Sequence, residues 1–345
     1  LKPNLFSIAT KELHQDAFIA WLVQWADPKN ASYDETLHRL GITFVKALLA
    51  KRYPVTDEPL LKVRCGRQWE NIDVYVEVET ATVKYLIVIE DKTFTKKREG
   101  QLERYHLSGE RWCKKFGAKL CCVYLKTGSE SQKSLNLIKK DGFATFDRKD
   151  FIAILDQYPS SGSDILTDFR VRLHQLQMAH DAFETTQLGQ WDDACWIGFY
   201  QYLEKNLGII DWNLVNPPSG ASFWNAVLNW DYWNGFPVYL QIEQGKLCFK
   251  ISYIDAEIDT ELSKSELRNR WYEIVRKAAQ RQNEDAIHRP NRFGVGDYMT
   301  TAVVNAADWL GDPKQNIDPV AVISRLRHYK NFLKSLLPNE NHTIA

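Results

Sequence analysis

The stretch from Asn71 to Lys92 constrains this chain more than any other. From Asn71 to Glu79 the residues alternate, with Val74, Val76 and Val78 facing one way and Asp73, Tyr75, Glu77 and Glu79 the other. A strict period of two predicts a strand with one buried face. After a short polar turn comes a run over 83–92 whose centre is apolar on both faces. Such a run predicts a strand in the middle of a sheet. A turn at Ala81-Thr82 sets Glu79 opposite Lys84, a favourable cross-strand pair, and Asp73 opposite Glu90. A slip of one residue would break that register. The second strand ends in charge: Glu90 and Lys92 share one face and Asp91 takes the other. A carboxylate and an ammonium at a buried strand end are costly to desolvate unless something uses them. With Asp73 opposed to Glu90, two carboxylates make a hard-oxygen site that suits Mg²⁺. The metal would lower the pKa of a bound water and polarise a phosphoryl oxygen. Lys92 would orient that water or neutralise developing charge. The bland alternative is a solvated strand end closed by an ion pair.

Around this hairpin the pattern is α/β. A helix is predicted over 10–26, with Leu13, Ala17, Phe18, Trp21, Leu22 and Trp25 as its apolar stripe. Asp27-Pro28 ends it. A second helix covers 36–52. Residues 99–116 read as helix, Leu120–Leu125 as a fully buried strand, 143–146 as a short strand, and 148–157 and 164–184 as helices. Tyr158 to Ser163 is a loop by composition. Beyond 190 the texture changes, since eight of the 12 Trp lie there. A helix over 191–206 precedes aromatic strands around 221–240, a hairpin over 238–253 turning near Glu243 to Lys246, and helices over 261–283 and 319–336. Two domains are therefore expected, 1–187 and 188–345. The first is a central mixed sheet flanked by helices, and the second an aromatic-rich α+β unit.

Composition excludes several classes. Lys plus Arg and Asp plus Glu both number 44, so this is neither a polycation nor an acidic tail protein. No apolar run is long enough to span a bilayer, and the six Cys show no C-x-x-C spacing. No membrane association and a reducing, cytoplasmic setting are expected. Charge is nevertheless local. From Lys84 to Lys119 there are ten basic and five acidic residues, with Lys96, Lys97 and Arg98 at the head of the 99–116 helix. Over 264–292 there are eight basic and four acidic, including Lys264, Arg268, Arg276 and Arg281. Both stretches are placed to follow a phosphate backbone, or to serve as solvated faces. The cluster Phe223, Trp224, Trp230, Tyr232, Trp233, Phe236 and Tyr239 either stacks on bases or packs a small sheet core, and packing is the expectation.

Ile72-Asp73-Val74 followed by an apolar strand ending Ile89-Glu90-Asp91-Lys92 resembles the PD-(D/E)XK nuclease superfamily, with Asn71-Ile72-Asp73 where its Pro-Asp motif stands. Gln101-Leu102-Glu103-Arg104-Tyr105 is similar to the Gln-x-x-x-Tyr motif of the branch with RecB-like nucleases and lambda exonuclease. Gln101 and Tyr105 share a helix face. Members of the superfamily often carry a first-helix carboxylate that joins the metal site, and the opening from Asn4 to Leu22 resembles a group of bacterial PD-(D/E)XK proteins often found beside anti-phage genes. Glu12 takes the place of that carboxylate, while His14 and Asp16 read as polar groups of the helix surface or as a capping contact.

The resemblance implies a restriction-endonuclease-like core and a Mg²⁺-dependent nuclease acting on DNA, with Mn²⁺ able to substitute. It implies metal ligation by Asp73, Glu90, the Asp91 carbonyl and Glu12, Lys92 orienting water, and Gln101 and Tyr105 positioning the water and a phosphate. The substrate would be duplex DNA or DNA with single-stranded ends, with a partner protein or further copies of the chain as possible company, and the setting phage defence. Two other readings stay open on the residues alone: a non-catalytic nucleic-acid- or protein-binding module on the same fold, and a nuclease for RNA or another phosphate-ester enzyme.

Overall fold

A computed structural model of the protein describes residues 3–54, 57–159, 162–216, 222–243 and 245–338. Helices α1 (Leu5–Ile8), α2 (Glu12–Gln24) and α3 (Glu35–Ala50) precede three strands, β1 (Lys62–Trp69), β2 (Ile72–Glu79) and β3 (Lys84–Lys92). Then follow α4 (Gln101–Phe116), β4 (Lys119–Lys126), α5 (Gln132–Lys140), β5 (Ala144–Asp147), α6 (Arg148–Leu155) and α7 (Asp164–Asp181). The five strands form one sheet in the order β1-β2-β3-β4-β5. β1, β2 and β3 run antiparallel, whereas β3, β4 and β5 are parallel. The sheet is thus mixed, with helices on both faces, as expected from the sequence.

The β2–β3 register is the expected one, from Glu79 opposite Lys84 to Val74 opposite Ile89. One face, carrying Val74, Val76, Ile87, Ile89 and Val123, packs against α2, α3, α6 and α7. The other, carrying Leu86, Val88, Cys122 and Tyr124, packs against α4 and α5. A fully buried side chain of this size contributes about 1.5–3 kcal/mol, so this double burial locks β3 in place. The fold differs from expectation within this region. α1, β1 and α5 were not foreseen. Arg64, Gly66 and Arg67 interrupt the alternation of β1, which is an edge strand where charge on the outer face is tolerated. The β1–β2 turn uses Glu70 and Asn71, both at positive φ, the geometry of a two-residue hairpin loop. The apolar stripe assigned to α2 is also corrected: Leu13 and Ala17 are exposed, while Gln15 and Asp16 are buried beside Phe18, Ile19 and Leu22.

The chain divides into two compact units, Leu1–Met178 and Ala179–Ala345. The second contains α8 (Asp193–Leu207), β6 (Asp211–Val215), β7 (Phe223–Val227), β8 (Asp231–Trp233), β9 (Phe236–Glu243), β10 (Lys246–Ser252), α9 (Lys264–Gln282), β11 (Tyr298–Val304), α10 (Ala306–Trp309) and α11 (Pro319–Ser335). Its antiparallel sheet runs β11-β10-β9-β7-β6, with β8 beside β9. β6, β11 and α10 were not anticipated. The aromatic cluster mostly packs, as expected. Phe236 is core, Trp224 and Trp233 lie against the core, and Trp230 stacks on Tyr239 at 4.7 Å; Tyr232 is exposed. Part of the loop expected at 158–163 and of the turn expected at 243–246 lies outside the described residues, as do Ala221 and the tail from Asn339. Among the described residues no helix is long and apolar enough to cross a membrane.

Candidate active site

β3 delivers two residues to one face of the sheet and one to the other, and its C-terminal end is where the chemistry collects. Glu90 is fully buried and Lys92 nearly so. The Lys92 ammonium touches four oxygens: Glu90 Oε1 at 2.5 Å, the Asp91 carbonyl at 2.9 Å, Asp73 Oδ2 at 3.6 Å and Glu12 Oε2 at 3.8 Å. Asp73 is held from the other side, because its Oδ2 accepts the Asp91 backbone N–H at 3.0 Å. That bond ties β2 to β3 just beyond their last ladder pair. Four of the residues singled out in the sequence therefore meet around a single cation.

α4 completes this face. It is the crossover between parallel β3 and β4, so its first turn lies beside the end of β3. Gln101 Nε2 donates to Glu90 Oε1 at 2.7 Å and to the Tyr105 hydroxyl at 3.0 Å. The Tyr105 hydroxyl donates to the Asn71 carbonyl at 2.5 Å, in the β1–β2 turn next to Asp73. Gln101 and Tyr105 do share a helix face, and together they join α4, β3 and the hairpin turn. Glu12, at the start of α2, accepts from Thr93 N at 2.9 Å, Thr95 N at 3.3 Å and Thr95 Oγ1 at 2.7 Å, so it closes the site from the loop side.

The opposite face of the same strand end is a buried polar knot. Asp91 Oδ1 accepts from Gln15 Nε2 at 2.5 Å, and Gln15 Oε1 accepts from Thr127 at 2.8 Å. Asp16 belongs here too. It was assigned to the helix surface and is instead buried, with Arg67 at 4.0 Å. His14 stays exposed, as expected. Gln15, Thr93, Thr127, Lys126 and Glu130 were not singled out from the sequence. The signal for the first was a polar pair, Gln15-Asp16, at positions a helical wheel places toward the sheet.

Electrostatics separate the groups. Burial, reinforced by the Asp73 carboxylate, pushes the Glu90 carboxyl up to about 8. Burial opposes the charge on Lys92, but Glu90, Asp73 and Glu12 outweigh it and push its ammonium up to about 12. Burial and Asp73 raise Asp16 to about 7, and burial and Asp16 hold Asp91 well above the usual carboxylate range. Burial also raises the Tyr105 hydroxyl, so it stays a donor.

Among the described residues no three His, Cys, Asp or Glu side chains form a ready metal-binding cluster. The donor set at the end of β3 nonetheless fits a hard cation. Its oxygens already surround one positive charge, and Glu90 Oε2 is buried with no hydrogen-bond partner, as are Asp91 Oδ2 and Asp16 Oδ1 on the opposite face, a cost native structures pay for a reason. The basic stretches are partly spent on internal pairs. Lys97 pairs with Asp141, Lys264 with Asp297 and Arg276 with Glu273, while Arg268 is buried over Phe293. Lys96, Arg98 and Arg281 are exposed.

A family model for the PD-(D/E)XK nuclease superfamily matches residues 3–205. No curated protein and no solved structure matches the chain.

Proposed function

The chain belongs to the PD-(D/E)XK nuclease superfamily, so it carries the fold of enzymes that act on nucleic acid with divalent metal, and from that premise we propose that it is a Mg²⁺-dependent nuclease of DNA. The observation that carries the proposal is the convergence of Asp73, Glu90, Glu12 and the Asp91 carbonyl on one cation at the end of β3. Asp73 and Glu90 would hold the metal, with the Asp91 carbonyl and Glu12 beside them. When bound, Mg²⁺ would supply a polarised phosphoryl oxygen and a more acidic water, and Mn²⁺ would serve in its place.

The protein's own residues do the rest. Lys92 holds a positive charge through the whole neutral range and faces the site, where it orients water and offsets charge that builds on the phosphate. Gln101 orients Glu90, and Tyr105 fixes the hairpin turn that carries Asp73. The exposed Lys96 and Arg98, just before α4, take the phosphate backbone. DNA, duplex or with single-stranded ends, is the substrate, and phage defence is the setting in which the chain would work.

The test is a cleavage assay with Mg²⁺, Mn²⁺ or EDTA on linear duplex, supercoiled circle, single-stranded DNA and RNA, with Lys92→Ala alongside. Metal-dependent loss of DNA that disappears in the variant is the expected result. Cleavage of RNA alone would move the substrate, and cleavage of nothing would shift the reading to a non-catalytic nucleic-acid-binding module.

A further inference from the structure

A second lysine stands behind the first. β4 runs parallel to β3 with Lys126 paired to Lys92, and Lys126 is almost fully buried. Its ammonium donates to the Thr95 carbonyl at 2.7 Å and pairs with Glu130 at 3.1 Å. Glu130 is buried as well, and it accepts from Ser134 at 2.7 Å and from the Tyr124 hydroxyl at 3.3 Å. The turn that follows grips the same loop. Thr127 N donates to the Lys92 carbonyl at 3.1 Å, and the Thr127 and Thr93 hydroxyls meet at 3.2 Å. Gly128 lies so close that an added Cβ would come within 1.9 Å of the Thr93 carbonyl oxygen. What this turn holds is the 93–95 segment, whose N–H groups and hydroxyl bind Glu12.

We infer that Lys126, paired with Glu130, is a positioning residue for the metal-dependent reaction: through the Thr95 carbonyl it sets the donors that aim Glu12 into the site. The inference rests on the nuclease reading above. A buried ion pair by itself is a weak source of stability and is often replaceable by apolar groups. Partners that orient a ligating carboxylate, in contrast, change metal affinity by about 10- to 100-fold. A structural role and a positioning role therefore predict different readouts.

The experiment compares wild type, Lys126→Met, the double variant Lys126→Met/Glu130→Gln, Thr95→Val and Thr95→Ser. Three quantities are read: Mn²⁺ binding by calorimetry without nucleic acid, the thermal midpoint, and cleavage rate against Mg²⁺ concentration. Lys126→Met and Thr95→Val are expected to weaken Mn²⁺ binding about tenfold, and to raise the half-saturating Mg²⁺ equally with the DNA KM unchanged. Thr95→Ser keeps the hydroxyl and behaves as wild type. If Lys126→Met fails to fold, the double variant, which leaves no charge buried alone, carries the same expectation. Folded Lys126 variants with wild-type Mn²⁺ binding overturn the inference, as does a Thr95→Val protein indistinguishable from Thr95→Ser. A wild-type protein that neither binds Mn²⁺ nor cleaves overturns the nuclease reading itself.

Discussion

Glu90 and Asp91 are neighbours in one strand, carry the same functional group, and lie on opposite faces of one sheet. Both are fully buried and both hold their protons more tightly than an exposed carboxyl does. Their surroundings differ. Asp91 faces a buried polar knot with Gln15, Asp16 and Thr127, where its Oδ1 accepts from Gln15 while Asp91 Oδ2 and Asp16 Oδ1 have no hydrogen-bond partner. Glu90 faces Asp73 and Gln101 and has the Lys92 ammonium on Oε1, while its Oε2, like Asp91 Oδ2, has no hydrogen-bond partner. The same desolvation cost thus has two outcomes. On one face the carboxyl meets an amide and a second carboxyl, and on the other an ammonium already sits among the oxygens.

That comparison can be broken by experiment. The largest effect belongs to Lys92. Lys92→Ala should lower cleavage by about 100-fold or more, while Mn²⁺ affinity measured by calorimetry is kept or improved, because the ammonium no longer shares the carboxylates. A loss of affinity would show that Lys92 does not compete for those oxygens. Next comes the pair of neighbours. Glu90→Gln should weaken Mn²⁺ binding by about 10- to 100-fold, and Asp91→Asn should leave it near wild type, since an amide keeps the oxygen that accepts from Gln15 and the ligating carbonyl is backbone. Equal losses in both variants would erase the distinction between the faces.

The third test uses pH. A carboxyl raised to about 8 carries a proton at neutral pH, and a metal has to displace it. Affinity should therefore rise with pH by up to about tenfold per unit below pH 8 and level off above it. Calorimetry in buffers of different ionisation enthalpy should register proton release on binding at pH 7. A flat pH profile between 6 and 8 would place the Glu90 proton elsewhere. The smallest effect is expected on the far face. Gln15→Leu leaves Asp91 and Thr127 without their shared partner, which should cost about 1–3 kcal/mol of stability by denaturant unfolding and change cleavage only slightly. A large catalytic defect at wild-type stability would mean the knot steers the site directly.

What was legible in the sequence followed from periodicity and from spacing. The β2–β3 register could be read because Val74, Val76 and Val78 alternate and Glu79 answers Lys84. Gln101 and Tyr105 could be placed because four residues make one turn of a helix. Asp16 and Gln15 could not, because a count of apolar positions reads polar residues as outward, and here a buried carboxyl on the sheet invites polar partners from α2. β1 escaped for the opposite reason: Arg64, Gly66 and Arg67 suit an edge, where no alternation is enforced. Lys126 and Glu130 escaped because Lys and Glu are almost never fully buried unless paired, and only the parallel neighbour reveals that both are inside. The metal roles of Asp73, Glu90 and Glu12 and the DNA substrate rest on the proposal and its tests.

The ammonium of Lys92 sitting among the carboxylates has a consequence for how such a protein endures. Sites that gather negative charge usually depend on their ion to stay assembled, and stripping the ion loosens the structure. Here a tethered counter-ion is part of the chain. The folded protein should therefore survive in a chelator at nearly its normal melting temperature, idle but intact, and resume work within the mixing time once divalent ions return.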